Sequence, residues 1–169
     1  GGKSRDKILT YLHIHGRNEK ELVDNCLKQV KNGCRVIRYS FDAEDVFNKN
    51  NRLCQPHQDI SINRIEVTDA KSHQDYWNEE IYANCLIRIT KQLRESLGEH
   101  IGLIHDVHGR LSLVQACRVA GELGKYNLLF LEDPIDSMNR EGLKKLSIAS
   151  NVPIGIGELY NTIYDCENA

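Results

Sequence analysis

Apolar positions along this chain switch back and forth between two periods. The runs ILTYLHI (Ile8 to Ile14) and RVIRYSF (Arg35 to Phe41) are short and dense in β-branched and aromatic residues, which predicts strands. Between them, Leu22, Cys26, Leu27 and Val30 recur at helical spacing over 19–31, and Gly33 closes the segment. Residues 42–77 break the rhythm. They are polar, carry Asn48, Asn50, Asn51, Pro56, His57 and His73, and hint at local structure only over Ile60 to Val67. A stretch of that length inside a domain is expected to be a lid-like loop.

Regularity then returns. Ile81, Cys85, Ile89 and Leu93 mark a helix over 78–97, and a strand follows at 101–107. Helices at 112–123 and 139–150 alternate with strands at 128–132 and 153–157. Strand and helix in strict alternation imply an α/β fold whose parallel strands are covered by helices. Right-handed crossovers leave an open doubly wound sheet or a (β/α) barrel.

A chain of 169 residues suits one domain, taken here as 1–169. With 27% charged residues and a net charge of −2, both signs interspersed, there is no electrostatic case for nucleic-acid binding. Neither a membrane-spanning run nor a signal peptide is visible, which points to the cytoplasm. The six cysteines contain no CxxC pair, and Cys26, Cys85 and Cys117 sit in helical apolar patterns where reduced, buried thiols are expected.

The candidate chemistry lies at strand ends. GLIHD ends at Asp106, LLFLE at Glu132 and IGIGE at Glu158, so successive acids recur at an interval of 26 residues. Each acid therefore holds the same phase of three successive βα units, at the end where parallel α/β folds build their sites. Three carboxylates converging there need a positive charge among them, and oxygen ligands on rigid strands suit Mg²⁺, or else Mn²⁺. Alternatively, each acid only caps the helix that follows its strand. His108, two residues past Asp106, shares its face.

These residues resemble the enolase superfamily, and most closely mannonate dehydratase and related sugar-acid dehydratases. The family pattern HDVH-x-R-L is matched by His105 to Leu111, LEDP by Leu131 to Pro134, and P-x-x-x-GE-x-x-N by Pro153 to Asn161. GGKSR at the start of the chain and Tyr11 to Gly16 are similar as well. The resemblance implies a (β/α)8 TIM-type barrel, present here as a partial barrel of about five strands without the capping domain and last strands. It implies Asp106, Glu132 and Glu158 as Mg²⁺ ligands, His108 as the acid that protonates a departing hydroxyl, and His13 in the sugar site. It also implies that Arg38 pairs with a tyrosine acting as base. That tyrosine has no match, since Tyr39 alone stands between Arg38 and Tyr76 and points to the opposite face.

The reaction implied is loss of water from a hexonate, giving a 2-keto-3-deoxy acid. The substrate would be a small sugar acid, with no nucleic-acid or membrane partner. Open strand edges imply a homo-oligomer, or the missing remainder of the barrel, as the protein partner. The other reading is a non-catalytic relative that serves as a binding or assembly module. An amidohydrolase, suggested by His13-x-His15, lacks the later histidines it needs. A receiver-like domain fits the 26-residue phasing badly.

Overall fold

A computed structural model describes residues 2–41 and 78–167. Its elements, numbered along the described residues, are β1 (Leu12–His15), α1 (Glu19–Lys31), β2 (Val36–Ser40), α2 (Glu79–Leu97), β3 (Gly102–Asp106), α3 (Leu113–Leu123), β4 (Phe130–Glu132), α4 (Arg140–Ala149), β5 (Ile154–Gly155) and α5 (Ile163–Glu167). Among the described residues the strands form one sheet in the order β1-β2-β3-β4-β5, every pair parallel. A doubly wound sheet requires that order to reverse somewhere, so that helices can cover both faces. Strict sequential order with crossovers of one hand keeps the helices on one face and curls the sheet toward a barrel. The structure thus selects the barrel from the two architectures that periodicity left open.

Helix boundaries follow from local capping chemistry. The side-chain oxygen of Asn18 accepts the Glu21 amide at 2.9 Å, and that of Asn78 accepts the Glu80 and Ile81 amides at 3.0 and 3.1 Å. Ser112 caps α3 and Asn139 caps α4 in the same way. Each of these oxygens satisfies an amide that lacks an intrahelical partner, in positions where Asn and Ser are favoured. Acidic side chains add to the first turns of α1 and α2.

Strand alternation divides the sheet into two faces. Ile14, Ile37, Tyr39, Leu103, His105 and Leu131 are all buried on the helix side, where they meet Leu22, Leu86, Ile89, Leu93 and Leu123. His13, Arg38, Asp106 and Glu132 occupy the alternate positions, on the other face. On the helix side the Tyr82 hydroxyl donates to His105 Nε2 at 2.8 Å, and His105 Nδ1 donates to the Tyr39 carbonyl at 3.0 Å. The Tyr39 hydroxyl bonds Thr90. Because a carbonyl can only accept, the proton of His105 resides on Nδ1 and the ring is neutral. Burial holds this imidazole down to about 3, with the charges of Arg38 and His108 adding and the bond to Tyr39 opposing.

The amino-terminal end of the sheet is gathered by Arg94, which is 5% exposed. Its guanidinium donates to the carbonyls of Tyr126 (2.8 Å), Gly98 (2.7 Å), Ile101 (2.8 Å) and Asn127 (3.0 Å). One side chain thereby ties the end of α2, the start of β3 and the link from α3 to β4.

Two expectations need correction. The first strand starts at Leu12 rather than Ile8. Ile8 and Leu9 stand 75% and 74% exposed, and β-rich composition yields a strand only where a neighbouring strand accepts its bonds. Cys26, Cys34, Cys117 and Cys166 are free thiols, but Cys85 is disulfide-bonded. Helical periodicity foretold that Cys85 is buried, not its oxidation state. The lid-like loop of 42–77, and Tyr76 with it, lies outside the described residues. No helix among the described residues is long and apolar enough to cross a membrane.

Candidate metal centre and its surroundings

The carboxyl ends of β3, β4 and β5 bring acids together on the face away from the helices. One oxygen each from Asp106 and Glu158 and one ring nitrogen of His108 lie within 4.8 Å of one another. Asp106 is buried, while His108 and Glu158 are open to solvent. His108 reaches this position through an unusual backbone: its φ is +56°, and Gly109 follows at +68°. Left-handed geometry costs a residue other than glycine free energy, and it recurs where a side chain is aimed for function. The turn is held by the His108 amide, which donates to Asp106 Oδ1 at 2.9 Å. The ring then folds back so that Nε2 lies 2.7 Å from Asp106 Oδ2.

Arg38 crosses this group from β2. Its Nη2 is ion-paired with Asp106 Oδ2, and its Nε donates to Glu132 Oε2 at 2.9 Å. Its Nη1 also lies 3.1 Å from His13 Nδ1, on the neighbouring strand in register with it. The sequence-derived site residues are thus joined into one row, His13–Arg38–Asp106–His108, with Glu132 attached through Arg38. Glu132 is not part of the close group of donor atoms; Arg38 holds its carboxylate instead, and the three acids do not meet at a single point as spacing alone suggested. Tyr39 lies on the far side of the sheet, fully buried, where burial pushes its hydroxyl well above the usual phenol range.

The donors suit a hard divalent cation: two carboxylates and one imidazole on the ends of successive parallel strands. Asp106 Oδ2 is the most enclosed of these donors: it is buried, ion-paired with Arg38 Nη2 and 2.7 Å from His108 Nε2. A buried carboxylate needs compensating positive charge. The guanidinium offsets only part of the charge carried by Asp106, Glu132 and Glu158.

Spacing did not point to Asp133 and Ser137, which are 3% exposed and adjoin this group. Asp133 also has a left-handed backbone, with φ of +38°. Burial, with Glu158 and Glu132 nearby, pushes its carboxyl above the ordinary range, while His108 and Arg38 oppose the shift. Asp133 stands inside the LEDP match of Leu131 to Pro134, but the motif was read only for Glu132.

The chain is similar to known proteins in both sequence and fold. The family model described as enolase C-terminal domain-like matches residues 77–169. A D-galactonate dehydratase family member, RspA, from Pantoea ananatis is 34% identical over 95% of this chain, which spans 39% of that protein. A second such family member, ManD, from Chromohalobacter salexigens is 29% identical over 98% of the chain and 40% of its own length. Among solved structures, an enolase from Pantoea ananatis with bound D-gluconate and Mg superposes with a TM-score of 0.77 at 32% identity. That superposition covers 99% of this chain and 41% of the other. An L-talarate/galactarate dehydratase variant, at 20% identity and a TM-score of 0.66, shares the fold. The chain spans about two fifths of the length of the curated relatives it matches.

Proposed function

Since this chain belongs to the enolase C-terminal domain-like family, we propose that it carries the metal-binding segment of a Mg²⁺-dependent sugar-acid dehydratase. Its reaction would be of the mannonate type: abstraction of the proton α to a carboxylate, then loss of the β-hydroxyl as water, giving a 2-keto-3-deoxy acid. The observation that carries this reading is the cluster of donors from Asp106, His108 and Glu158, set within 4.8 Å of one another. Relatives of related name support the substrate class.

Asp106, Glu158 and Glu132 would hold the ion. When bound, a divalent cation supplies Lewis-acid stabilisation for charge developing on the substrate carboxylate. His108 Nε2, oriented by Asp106, stands on the exposed rim where it can deliver a proton to a leaving hydroxyl. Arg38, only 12% exposed in its side chain, keeps a fixed positive charge beside the acids and lines the floor of the site with His13. His13, whose ring stacks on Tyr11, would contribute to the sugar side of the site.

Calorimetric titration of Mg²⁺ into the chain, beside an Asp106→Asn, Glu158→Gln double variant, tests the reading. Saturable uptake that is lost in the double variant is expected, after which hexonates are assayed for 2-keto acid formation. His108→Asn should keep Mg²⁺ uptake and lose turnover; loss of both makes His108 a ligand rather than the acid. A folded chain that takes up no Mg²⁺ overturns the proposal.

A second reading, a non-catalytic relative used as a binding module, draws on Tyr39. This tyrosine is turned away from the site and bonded to Thr90, so it offers no base. Mg²⁺ uptake without turnover on any hexonate would favour that reading.

A further inference from the structure

Beside the metal cluster, a cleft of about 260 Å³ opens between the loops that follow β3, β4 and β5, and His108 and Glu158 form part of its wall. Asp133 and Ser137 line its other side. Their polar atoms, Asp133 Oδ1 and Ser137 Oγ, are buried and have no hydrogen-bond partner. Two such atoms in one small cleft are unusual, because buried polar groups are paired almost throughout folded proteins.

The cleft walls are built rather than loose. The Gly109 amide donates to the Asp133 carbonyl at 2.6 Å, and the Leu111 amide to the Pro134 carbonyl at 3.3 Å. Arg110 and Ile135 form a bridge between the two loops. Asp136 is spoken for, since its Oδ1 accepts the Met138 amide at 2.9 Å. Among the described residues, Asp133 and Ser137 carry the buried polar atoms left unpaired on this wall.

Their chemistry restricts the ligand. Asp133, Asp136 and Glu158 all lie on the wall, which excludes an anionic group. A carboxylate oxygen needs a donor, and a serine hydroxyl can donate in turn. An alcohol has the chemistry for either demand, since it can give its proton to Asp133 and can accept one from Ser137. A cavity holds one water in ~10–15 Å³, so this cleft has room for a chain of several atoms.

We propose that Asp133 and Ser137 form a subsite for a hydroxyl on the chain of the sugar acid, remote from its carboxylate. The inference rests on the dehydratase reading, because the shared wall of His108 and Glu158 is what joins the cleft to the place where the carboxylate end would sit. The subsite would let this chain distinguish a polyol acid from a short 2-hydroxy acid that fills the metal site alone.

The test compares D-gluconate with glycolate by calorimetry on the Mg²⁺-saturated chain, in wild type, Ser137→Ala and Asp133→Asn. Gluconate should bind more tightly than glycolate. Each substitution should weaken gluconate about 5- to 10-fold, the scale of one lost hydrogen bond, and leave glycolate and Mg²⁺ unchanged. Equal affinity for the two acids in wild type, or a gluconate advantage that survives both substitutions, means that the cleft holds only water and overturns the subsite while the metal reading stands. Should the chain take up no Mg²⁺, the dehydratase reading fails by itself, and the subsite is then read with neutral D-glucitol by amide NMR. Saturable shifts at Gly109, Ser137 and Met138 that vanish in Ser137→Ala sustain it, and their absence overturns it.

Discussion

Replacing Arg38 with methionine separates the charge of the guanidinium from the packing of its stem. In the native chain this side chain, 12% exposed, pairs with Asp106 at 3% exposure and with Glu132 at 20%. Removing one partner from a buried pair costs about 3–5 kcal/mol, because the carboxylate left behind stays desolvated. Here Asp106 keeps His108 at 2.7 Å and Glu132 is partly wet, so the lower end applies, about 3 kcal/mol. For a chain of this size that corresponds to a melting point lower by ~6–12 °C.

Mg²⁺ should reverse the loss. An ion settling on Asp106 must compete with the guanidinium in wild type and is relieved of that competitor in Arg38→Met. Ion present at 100 times its dissociation constant adds ~2.7 kcal/mol of stability, enough to restore most of the deficit. The assay is urea denaturation of both proteins with and without Mg²⁺. A variant within about 1 kcal/mol of wild type would show that Arg38 does not hold the acids together. Equal stabilisation of both proteins by Mg²⁺ would refute the competition, and with it the location of the ion.

His105 and two glycines provide further tests. A free histidine titrates near 6.5, and His105 is held down to about 3 by burial. Between those values the unfolded chain takes up a proton that the native chain refuses, so stability falls as pH drops, by up to ~1.4 kcal/mol per pH unit. His105→Gln should lose stability at pH 7 yet flatten that slope in urea midpoints measured from pH 7 to 5; an unchanged slope would place the acid sensitivity elsewhere. At Gly16 a methyl group would lie 2.4 Å from the Leu22 backbone nitrogen, whereas at Gly121, inside α3, nothing stands within 4 Å. Gly16→Ala should cost about 2 kcal/mol or more and Gly121→Ala should add about 0.5–1 kcal/mol, both read by thermal denaturation; effects of the same sign would contradict the packing described.

Much of the helical framework was legible because its signals are local. The stripes Leu22, Cys26, Leu27, Val30 and Ile81, Cys85, Ile89, Leu93 were read from spacing alone, while the caps at Asn18, Asn78, Ser112 and Asn139, equally local, went unread. The common phase of Asp106, Glu132 and Glu158 was equally legible, since a repeated βα unit repeats its own strand end. What that spacing could not convey was how Arg38 intervenes. Its contact with Glu132 spans 94 positions, and no periodicity encodes which of three acids a cation will take. Asp133 and Ser137 were missed for a related reason. Their interest lies in a left-handed backbone at Asp133 and in polar atoms left unpaired by the surrounding loops, both of which arise only when distant segments meet. The first strand was overextended because Ile8 and Leu9 have strand composition without a strand beside them.

Arg94 has a consequence for how this chain can change over time. It anchors two connections at the end of the sheet opposite the acids, through main-chain carbonyls, so the identity of the side chains in those connections hardly matters to it. Mutational drift there is absorbed so long as the backbone path persists. At the other end the loops carry the donors and the cleft, and they can exchange residues without loosening the anchor. Foundation and chemistry are therefore inherited as nearly independent traits, which gives a lineage built on this sheet latitude to retune its ligand while keeping its fold.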